Sequence, residues 1–261
     1  MWVERLARFG YAAKGIVYAI VGLLAVQAAI GTGGKTTDTR GALGEIAAQP
    51  FGKFLLALVV FGLIGYVVWC FVQAVKDPEH KGDDPKGLAR RFGYGITGLI
   101  YASLAVSAIG LITGSGGGSS SSNSQQDWTA RLLSQPFGQW LVGLVGAFII
   151  GLGFYQLYKA YKAKFRKQMK LQEMTPTEET WATRIGRFGL AARGIVFAII
   201  GFFLLEAARQ SDPSEARGLD GALQALAQQP YGPWLLGIVA LGLVAYGIHM
   251  GVQARYRRIL T

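Results

Sequence analysis

Two cationic side chains that could do chemistry inside a membrane, Lys14 and Arg193, lie within long apolar stretches of the sequence. Thr97 takes the matching position in a third such stretch. Ionisable groups inside membrane segments are functional candidates, because charge is costly in hydrocarbon. Both cations lie only about two helical turns from a basic cluster, which favours side chains that extend to the lipid headgroups. Inward-pointing cations would instead place positive charge near a shared axis and favour an anionic ligand or lipid headgroup.

A dense basic cluster follows the fourth apolar stretch. It contains Lys159, Lys162, Lys164, Arg166, Lys167 and Lys170. Beside a membrane, such residues attract anionic lipid at about 1 kcal/mol for each one held close to the surface. An ordinary solvated run that sets the topology of the chain would have the same composition. The cluster is therefore a candidate anionic-lipid patch, and the topological alternative stays open.

The remaining candidates for catalysis or metal binding are few and scattered. His249 corresponds in the repeats described below to Trp69 and Tyr155, and this trio predicts an aromatic belt at the membrane surface. His80 lies in a connection, and the single cysteine, Cys70, has no partner set in the sequence. We therefore expect no metal centre and no cofactor. An acid, a base and a nucleophile cannot be assembled either, so we expect a protein that is not an enzyme.

Composition predicts the elements that position these residues. The 261 residues are 51% apolar and only 16% charged, which is too apolar for an ordinary soluble chain. About 20 apolar residues in a helix cross a hydrocarbon core of roughly 30 Å. Six stretches of about that length occur, at 11–30, 54–75, 93–113, 140–158, 190–208 and 233–252. The predicted fold is an all-α polytopic membrane protein with six transmembrane helices.

Two short motifs recur three times in the same order. Arg-Phe-Gly begins the odd-numbered stretches, at Arg8, Arg91 and Arg187. Gln-Pro-aromatic-Gly begins the even-numbered ones, and apart from the aromatic residue it consists of Gln49, Pro50, Gly52, Gln135, Pro136, Gly138, Gln229, Pro230 and Gly232. Proline suits the first turn of a helix, where its missing N–H has no partner to lose. We interpret the second motif as a structural part of the outer loops.

The repeated unit is a pair of helices, which divides the chain into repeat 1 (1–80), repeat 2 (81–172) and repeat 3 (173–261). Because each unit crosses the membrane twice, all three have the same orientation. We expect a six-helix bundle with pseudo-threefold symmetry; a side-by-side row is the alternative. Small residues at Gly15, Gly98 and Gly194 begin faces that predict close helix packing, the alternative being a groove for a lipid or pigment.

The outer loops contain two further signals. Apolar residues at i, i+3 spacing precede each Gln-Pro-aromatic-Gly motif, as Leu43 and Ile46 do in repeat 1. This spacing predicts short amphipathic helices on the outer surface. In repeat 2, residues 114–126 are rich in Gly and Ser, which predicts a flexible loop.

Lys and Arg concentrate on the side of the membrane that carries both termini. The positive-inside rule therefore predicts that both termini are cytoplasmic. The net charge of +11 does not indicate nucleic-acid binding, because the basic residues flank membrane spans and form no recognisable nucleic-acid module.

The order of the motifs carries a family resemblance. Arg-Phe-Gly with a further glycine five positions later, followed by Gln-Pro-aromatic-Gly, resembles a bacterial family of tandem two-helix membrane domains of unknown function. The resemblance covers almost the whole chain and implies its architecture and bacterial setting. The middle copy departs from the pattern at Thr97 and in its Ser-rich outer loop. No catalytic or binding residue comes with the resemblance.

Three functional hypotheses remain. The favoured one is a structural membrane protein that associates with anionic lipid, a membrane partner or further copies of itself, because ionisable residues inside the spans are scarce. The alternative is a channel or carrier for a small anionic solute, since parallel repeats occur in transporters. A hydrophobic-ligand or pigment-binding protein is the third, because such ligands leave no short motif.

Overall fold

A computed structural model describes residues 2–78, 84–115 and 121–258, and these residues are predominantly helical. The α-helices are α1 Trp2–Ala29, α2 Thr39–Ala48, α3 Gly52–Val75, α4 Pro85–Thr113, α5 Ser121–Leu133, α6 Gly138–Tyr161, α7 Pro176–Gln210, α8 Leu219–Ala227 and α9 Gly232–Tyr256. Six of them, namely α1, α3, α4, α6, α7 and α9, are long and apolar enough to cross a membrane. The prediction of six transmembrane helices is confirmed.

Several helices begin before the predicted apolar stretches because capping groups start them there. The Asp84 carboxylate accepts the backbone N–H of Gly87 at 3.2 Å, and Pro85 occupies the first turn of α4. Thr175 and Glu178 form a reciprocal capping box that begins α7. These caps satisfy N–H groups that lack partners inside the helix. The helices therefore extend past the hydrocarbon-length segments at the end of the bundle that carries both termini, called the basic end below.

The three short helices α2, α5 and α8 lie at the opposite end, called the short-helix end. Leu43 of α2 and Leu223 of α8 are fully buried, as the amphipathic spacing predicts. In α5 the equivalent inward residue is Thr129, whereas Leu132 is 37% exposed. Because α5 begins at Ser121, the prediction of a flexible loop over 114–126 is wrong for its second half.

The Gln-Pro-aromatic-Gly motif forms the same turn three times. Phe51, Phe137 and Tyr231 adopt left-handed backbone conformations, with φ of 59°, 63° and 61°. The glycine that follows each one begins α3, α6 or α9 and lies against the end of the preceding short helix. The aromatic side chains are exposed. The motif thus connects each short helix to the next membrane span and leaves an aromatic residue at the short-helix end.

Around the bundle, the spanning helices follow the order α4, α3, α1, α9, α7, α6, each packed on its neighbour. A ring with threefold symmetry would also pack α4 on α6. In the described residues, however, α4 and α6, the two helices of repeat 2, make no extensive contact with each other. The bundle therefore has the neighbour order of a pseudo-threefold ring that is open within repeat 2. We call this position the open junction.

The residues at the helix crossings explain the open junction. In repeat 1, Gly62 of α3 packs against Ala13 of α1 so closely that a Cβ on the glycine would lie 2.5 Å from the Ala13 Cβ. Gly242 packs against Ala192 in the same way in repeat 3. The corresponding residues of repeat 2 are Phe148 and Ile96. Two large side chains cannot occupy a crossing built for a glycine and an alanine.

The small faces of α1, α4 and α7, the first spanning helix of each repeat, mediate contacts between repeats. A Cβ on Gly15 of α1 would lie 2.7 Å from the Gly247 carbonyl oxygen of α9. A Cβ on Gly194 of α7 would lie 2.9 Å from the Gly153 carbonyl oxygen of α6. The prediction that these small residues serve helix packing is confirmed at both interfaces.

Candidate functional site

Side chains from all six spanning helices meet in the middle of the bundle. We call this group the central cation cluster; it consists of Lys14 and Tyr18 of α1, Tyr66 of α3, Tyr101 of α4, Gln156 of α6, Arg193 and Phe197 of α7, and Tyr246 of α9. Such convergence from every helix fits a ring rather than a side-by-side row. Tyr18, Tyr101 and Phe197 each lie one turn after a cation or its Thr97 counterpart.

Lys14 lies inside the bundle with 4% of its surface exposed. Its Nζ donates a hydrogen bond to the Tyr66 hydroxyl at 3.1 Å. The same atom lies 4.7 Å from the centre of the Tyr66 ring, 4.8 Å from that of Tyr101 and 5.9 Å from that of Tyr246. The favoured expectation that this side chain extends to the headgroups is therefore wrong, because three aromatic rings hold the ammonium group inside.

Arg193 reaches the same cluster from α7. Its Nη1 donates to the Gln156 side-chain oxygen at 3.1 Å. Its guanidinium carbon lies 4.5 Å from the centre of the Phe197 ring and 4.9 Å from that of Tyr246. The buried Nε has no hydrogen-bond partner in the described part of the chain. Arg193 also points inward, and it keeps one donor unused.

The tyrosine rings connect the two cations. Tyr66 and Tyr101 contact edge to face with centroids 4.8 Å apart, and Tyr18 and Tyr246 do so at 4.9 Å. Tyr246 lies within 6 Å of both Lys14 and Arg193. A ring face stabilises a desolvated cation by about 2 kcal/mol. The rings thus compensate part of the desolvation of two like charges, while leaving the cluster positively charged.

The cluster receives no negative charge from the residues described here. Their ion pairs join glutamates to other cations, such as Arg8 with Glu4 and Arg209 with Glu206. At the third equivalent position, the Thr97 hydroxyl donates to the Gly93 carbonyl oxygen of its own helix at 2.7 Å. The cluster therefore combines two cations, four phenol groups and an amide, a set that can bind and orient an anion.

The basic cluster after α6 is not a uniform cationic surface. Arg166 forms an ion pair with Glu179, and Lys170 pairs with Glu173 at 2.9 Å. Lys164 lies 4.3 Å from the centre of the Tyr158 ring. Lys162 and Lys167 are exposed, and Lys159 is half-buried. Binding of anionic lipid by this patch stays a prediction, with part of its charge already neutralised.

Two members of the predicted aromatic belt are buried instead. Trp69 and His249 are fully buried, whereas Tyr155 is 50% exposed. The His249 ring contacts Phe165, with centroids 4.7 Å apart, because the segment after α6 folds across the basic end. The belt prediction is therefore wrong for Trp69 and His249.

A metal site is not evident in the described ranges, where no three His, Cys, Asp or Glu residues are grouped for one. The chain segment that contains His80 lies outside those ranges. Cys70 is buried and unpaired.

The sequence pointed to Lys14 and Arg193 but missed the tyrosines and Gln156. One signal was available: Tyr18 and Tyr101 recur one turn after equivalent positions, and Tyr66 and Tyr246 recur at equivalent positions of α3 and α9, the second spanning helices of their repeats. Gln156 had no such signal, because Cys70 and Met250 take its place in the other repeats.

The three repeats match one family profile, Domain of Unknown Function (DUF1206), at residues 9–77, 92–163 and 188–257. A similar protein from Bacillus subtilis (strain 168), described as uncharacterized protein YxxB, is 40% identical over 258 residues, covering 99% of this chain and 92% of that protein. No solved structure matches the chain. The predicted resemblance to tandem repeat domains of unknown function is confirmed.

Proposed function

We propose a function from the geometry of the site, because the chain belongs to DUF1206, a family of domains of unknown function. The protein is a non-enzymatic component of a bacterial cytoplasmic membrane, and its six-helix bundle binds an anionic group at the central cation cluster. That group is the headgroup of an anionic lipid or a small anion. In this proposal the basic end faces the cytoplasm, in agreement with the positive-inside rule.

One observation carries the proposal: Lys14 and Arg193 are held inside the bundle, and neither contacts a carboxylate in the described residues. Unpaired charge in a membrane interior is costly, and two like charges add repulsion. An anion between them would remove both costs. The unused Arg193 Nε offers such an anion a hydrogen-bond donor.

The open junction supplies a route from the lipid phase. Ile96 of α4 and Phe148 of α6 are exposed there, and α4 also contributes Tyr101 to the cluster. A lipid that enters between α4 and α6 would approach the cations without separating any of the closely packed pairs. This geometry supports a lipid headgroup as one source of the anionic charge.

The test measures anion-dependent stability in nanodiscs made only of phosphatidylcholine. We expect the thermal midpoint of the unmodified protein to rise when phosphatidylglycerol is included, or when sodium phosphate is added at constant ionic strength. The first response identifies a lipid headgroup and the second a small anion. Lys14→Met and Arg193→Met should each weaken the response, while Thr97→Val, at the uncharged equivalent position, should retain it in full.

The two Met variants also show whether each buried cation lowers the stability of the protein when no anion is bound. Replacing an unpaired buried cation by an apolar residue of similar length should leave the ligand-free protein equally or more stable. If the unmodified protein responds to neither addition, or if both Met variants keep the full response, the proposed binding site is wrong.

A channel or carrier for a small anion is the second candidate. It is favoured by the contribution of all six spanning helices to one cationic cluster, since carriers bind substrates where repeats meet. Proteoliposomes loaded with phosphate or chloride would then release the anion faster than protein-free liposomes, and Lys14→Met would abolish the difference. Equal release from both kinds of liposome would exclude transport of these anions.

A further inference from the structure

The arginine of the Arg-Phe-Gly motif has a structural role in repeats 1 and 2. Arg8 Nη1 donates to the Ala254 carbonyl oxygen at 2.8 Å and also to that of Arg255, at the end of α9. Arg91 donates to the Ala74 and Val75 carbonyl oxygens at the end of α3, at 2.9 and 3.0 Å. In both cases the guanidinium group satisfies carbonyls that the helix leaves without partners.

Arg187 occupies the same motif position in repeat 3 and lacks these bonds. The equivalent carbonyls belong to Ala160 and Tyr161 at the end of α6. There the chain turns through Ala163, which has a left-handed backbone with φ of 47°, and the Ala163 N–H donates to the Ala160 oxygen at 3.2 Å. Because the backbone itself satisfies this carbonyl, Arg187 is exposed and forms no hydrogen bond or ion pair within the described structure.

Arg187, which does not cap α6, lines a groove of about 700 Å³ between α6 and α7 at the basic end. The groove is lined by Leu157, Ala160, Tyr161, Lys162, Arg187, Phe188 and Ala191. Its cations, Lys162 and Arg187, are both exposed, and no acidic residue is among the lining residues. Leu157, Phe188 and Ala191 continue the wall towards the middle of the membrane-spanning helices. The groove thus has a cationic end next to an apolar wall.

We infer that this α6/α7 groove binds an anionic phospholipid, with the phosphate between Arg187 and Lys162 and an acyl chain along Leu157 and Phe188. The two chemistries of the groove match those of the lipid and their order along the membrane normal. Arginine binds phosphate through paired N–H donors, and lysine adds a mobile point charge. Charge complementarity selects an anionic over a zwitterionic lipid.

This site is separate from the central cation cluster and does not depend on the function proposed for it. It also differs from the basic patch indicated by the sequence, because its principal residue, Arg187, lies on α7. Of the patch, only Lys162 lines the groove.

Native mass spectrometry of the full chain, titrated with phosphatidylglycerol or phosphatidylcholine, tests the inference. We expect at least one phosphatidylglycerol to bind in preference to phosphatidylcholine. Arg187→Gln should weaken that binding about tenfold, a change of about 1.4 kcal/mol, and Arg187→Lys should restore part of it. The matched control is Arg184→Gln, which removes an exposed arginine one turn earlier on α7 and outside the groove.

A loss of folding would not explain weaker lipid binding by Arg187→Gln, because Arg187 makes no hydrogen bond to the described residues whose loss would destabilise the protein. Lys14→Met and Arg193→Met should leave this lipid bound, which separates the site from the central cluster. The inference is overturned if Arg187→Gln and Arg184→Gln bind phosphatidylglycerol equally well. It is also overturned if free phosphate displaces the lipid at equal concentration, because the site would then recognise phosphate alone.

Discussion

Repeats 1 and 3 close their two helices upon each other, whereas repeat 2 keeps its helices apart. A Cβ on Gly10 of α1 would lie 2.6 Å from the Tyr66 Cβ of α3, whereas a Cβ on its counterpart in α4, Gly93, would have no described residue of another element within 4 Å. Gly151 of α6 likewise faces open space. The repeated motifs are present in all three units, so they do not by themselves decide how the two helices pack.

The difference lies in the crossing residues. Repeats 1 and 3 place an alanine opposite a glycine, while repeat 2 places Ile96 opposite Phe148. Without a hydrophobic driving force between helices in lipid, close backbone approach supplies much of the attraction. The two bulky residues of repeat 2 therefore keep α4 and α6 from packing on each other. Each of these helices packs instead on a neighbouring repeat, α4 on α3 and α6 on α7.

We expect the largest difference in unfolding free energy when the same glycine-to-alanine substitution is made in repeat 1, whose helices pack together, and in repeat 2, whose helices do not. Gly10→Ala introduces a Cβ into the Tyr66 backbone and should cost about 1–3 kcal/mol of unfolding free energy. Gly93→Ala should stabilise by up to about 1 kcal/mol, since alanine favours the helix. Unfolding titrations in mixed micelles measure both. Equal effects of the two substitutions would mean that repeat 2 closes like the others.

A second prediction is that smaller crossing residues close repeat 2. We place cysteines at Gly93 and Leu152, the counterparts of the contacting Gly10 and Tyr66, in a Cys70→Ala background. Ile96→Ala with Phe148→Gly should accelerate disulfide formation about tenfold, which corresponds to about 1.4 kcal/mol. Gel shifts after timed oxidation give the rates. An unchanged rate would show that other contacts keep α4 and α6 apart.

The arginines of the Arg-Phe-Gly motif should give the smallest difference in stability between two repeats. Arg8→Ala removes bonds to the end of α9 and should cost about 1 kcal/mol. Arg187→Ala breaks no such bond and should stay within about 0.5 kcal/mol of the unmodified protein. Thermal unfolding in phosphatidylcholine nanodiscs, without anionic lipid, measures both variants. A loss in Arg187→Ala as large as that in Arg8→Ala would show that Arg187 also caps its helix.

The sequence predicted what depends on local pattern: the six spans, the three repeats and the small packing faces. It did not predict the direction of Lys14, because the Tyr66 hydroxyl that holds it comes from another helix 52 positions away. The burial of His249 likewise depends on Phe165, which reaches it only after the chain folds across the basic end. Contacts of this kind have no signature in hydropathy.

Within the candidate site, the cations were visible and their surroundings were not. Charge inside an apolar stretch is conspicuous, whereas tyrosines in membrane helices usually indicate an interface. Only the packing order of the helices brings Tyr101 and Tyr246 to the same cation. The expected closed ring is also wrong in repeat 2. There the two crossing residues, and not the repeated motifs, determine whether α4 and α6 pack on each other.

The order of helices around the bundle also has a consequence for biosynthesis. The first three spanning helices, α1, α3 and α4, form one sequential stack, and the last three, α6, α7 and α9, form another; the α1–α9 interface is the principal contact between them. During translation, the Gly15 face of α1 stays exposed to lipid until α9, the last of the six spanning helices, is inserted. Assembly of the two halves is therefore a late step, and a chain that terminates before α9 would leave the first stack and the α6–α7 pair unjoined.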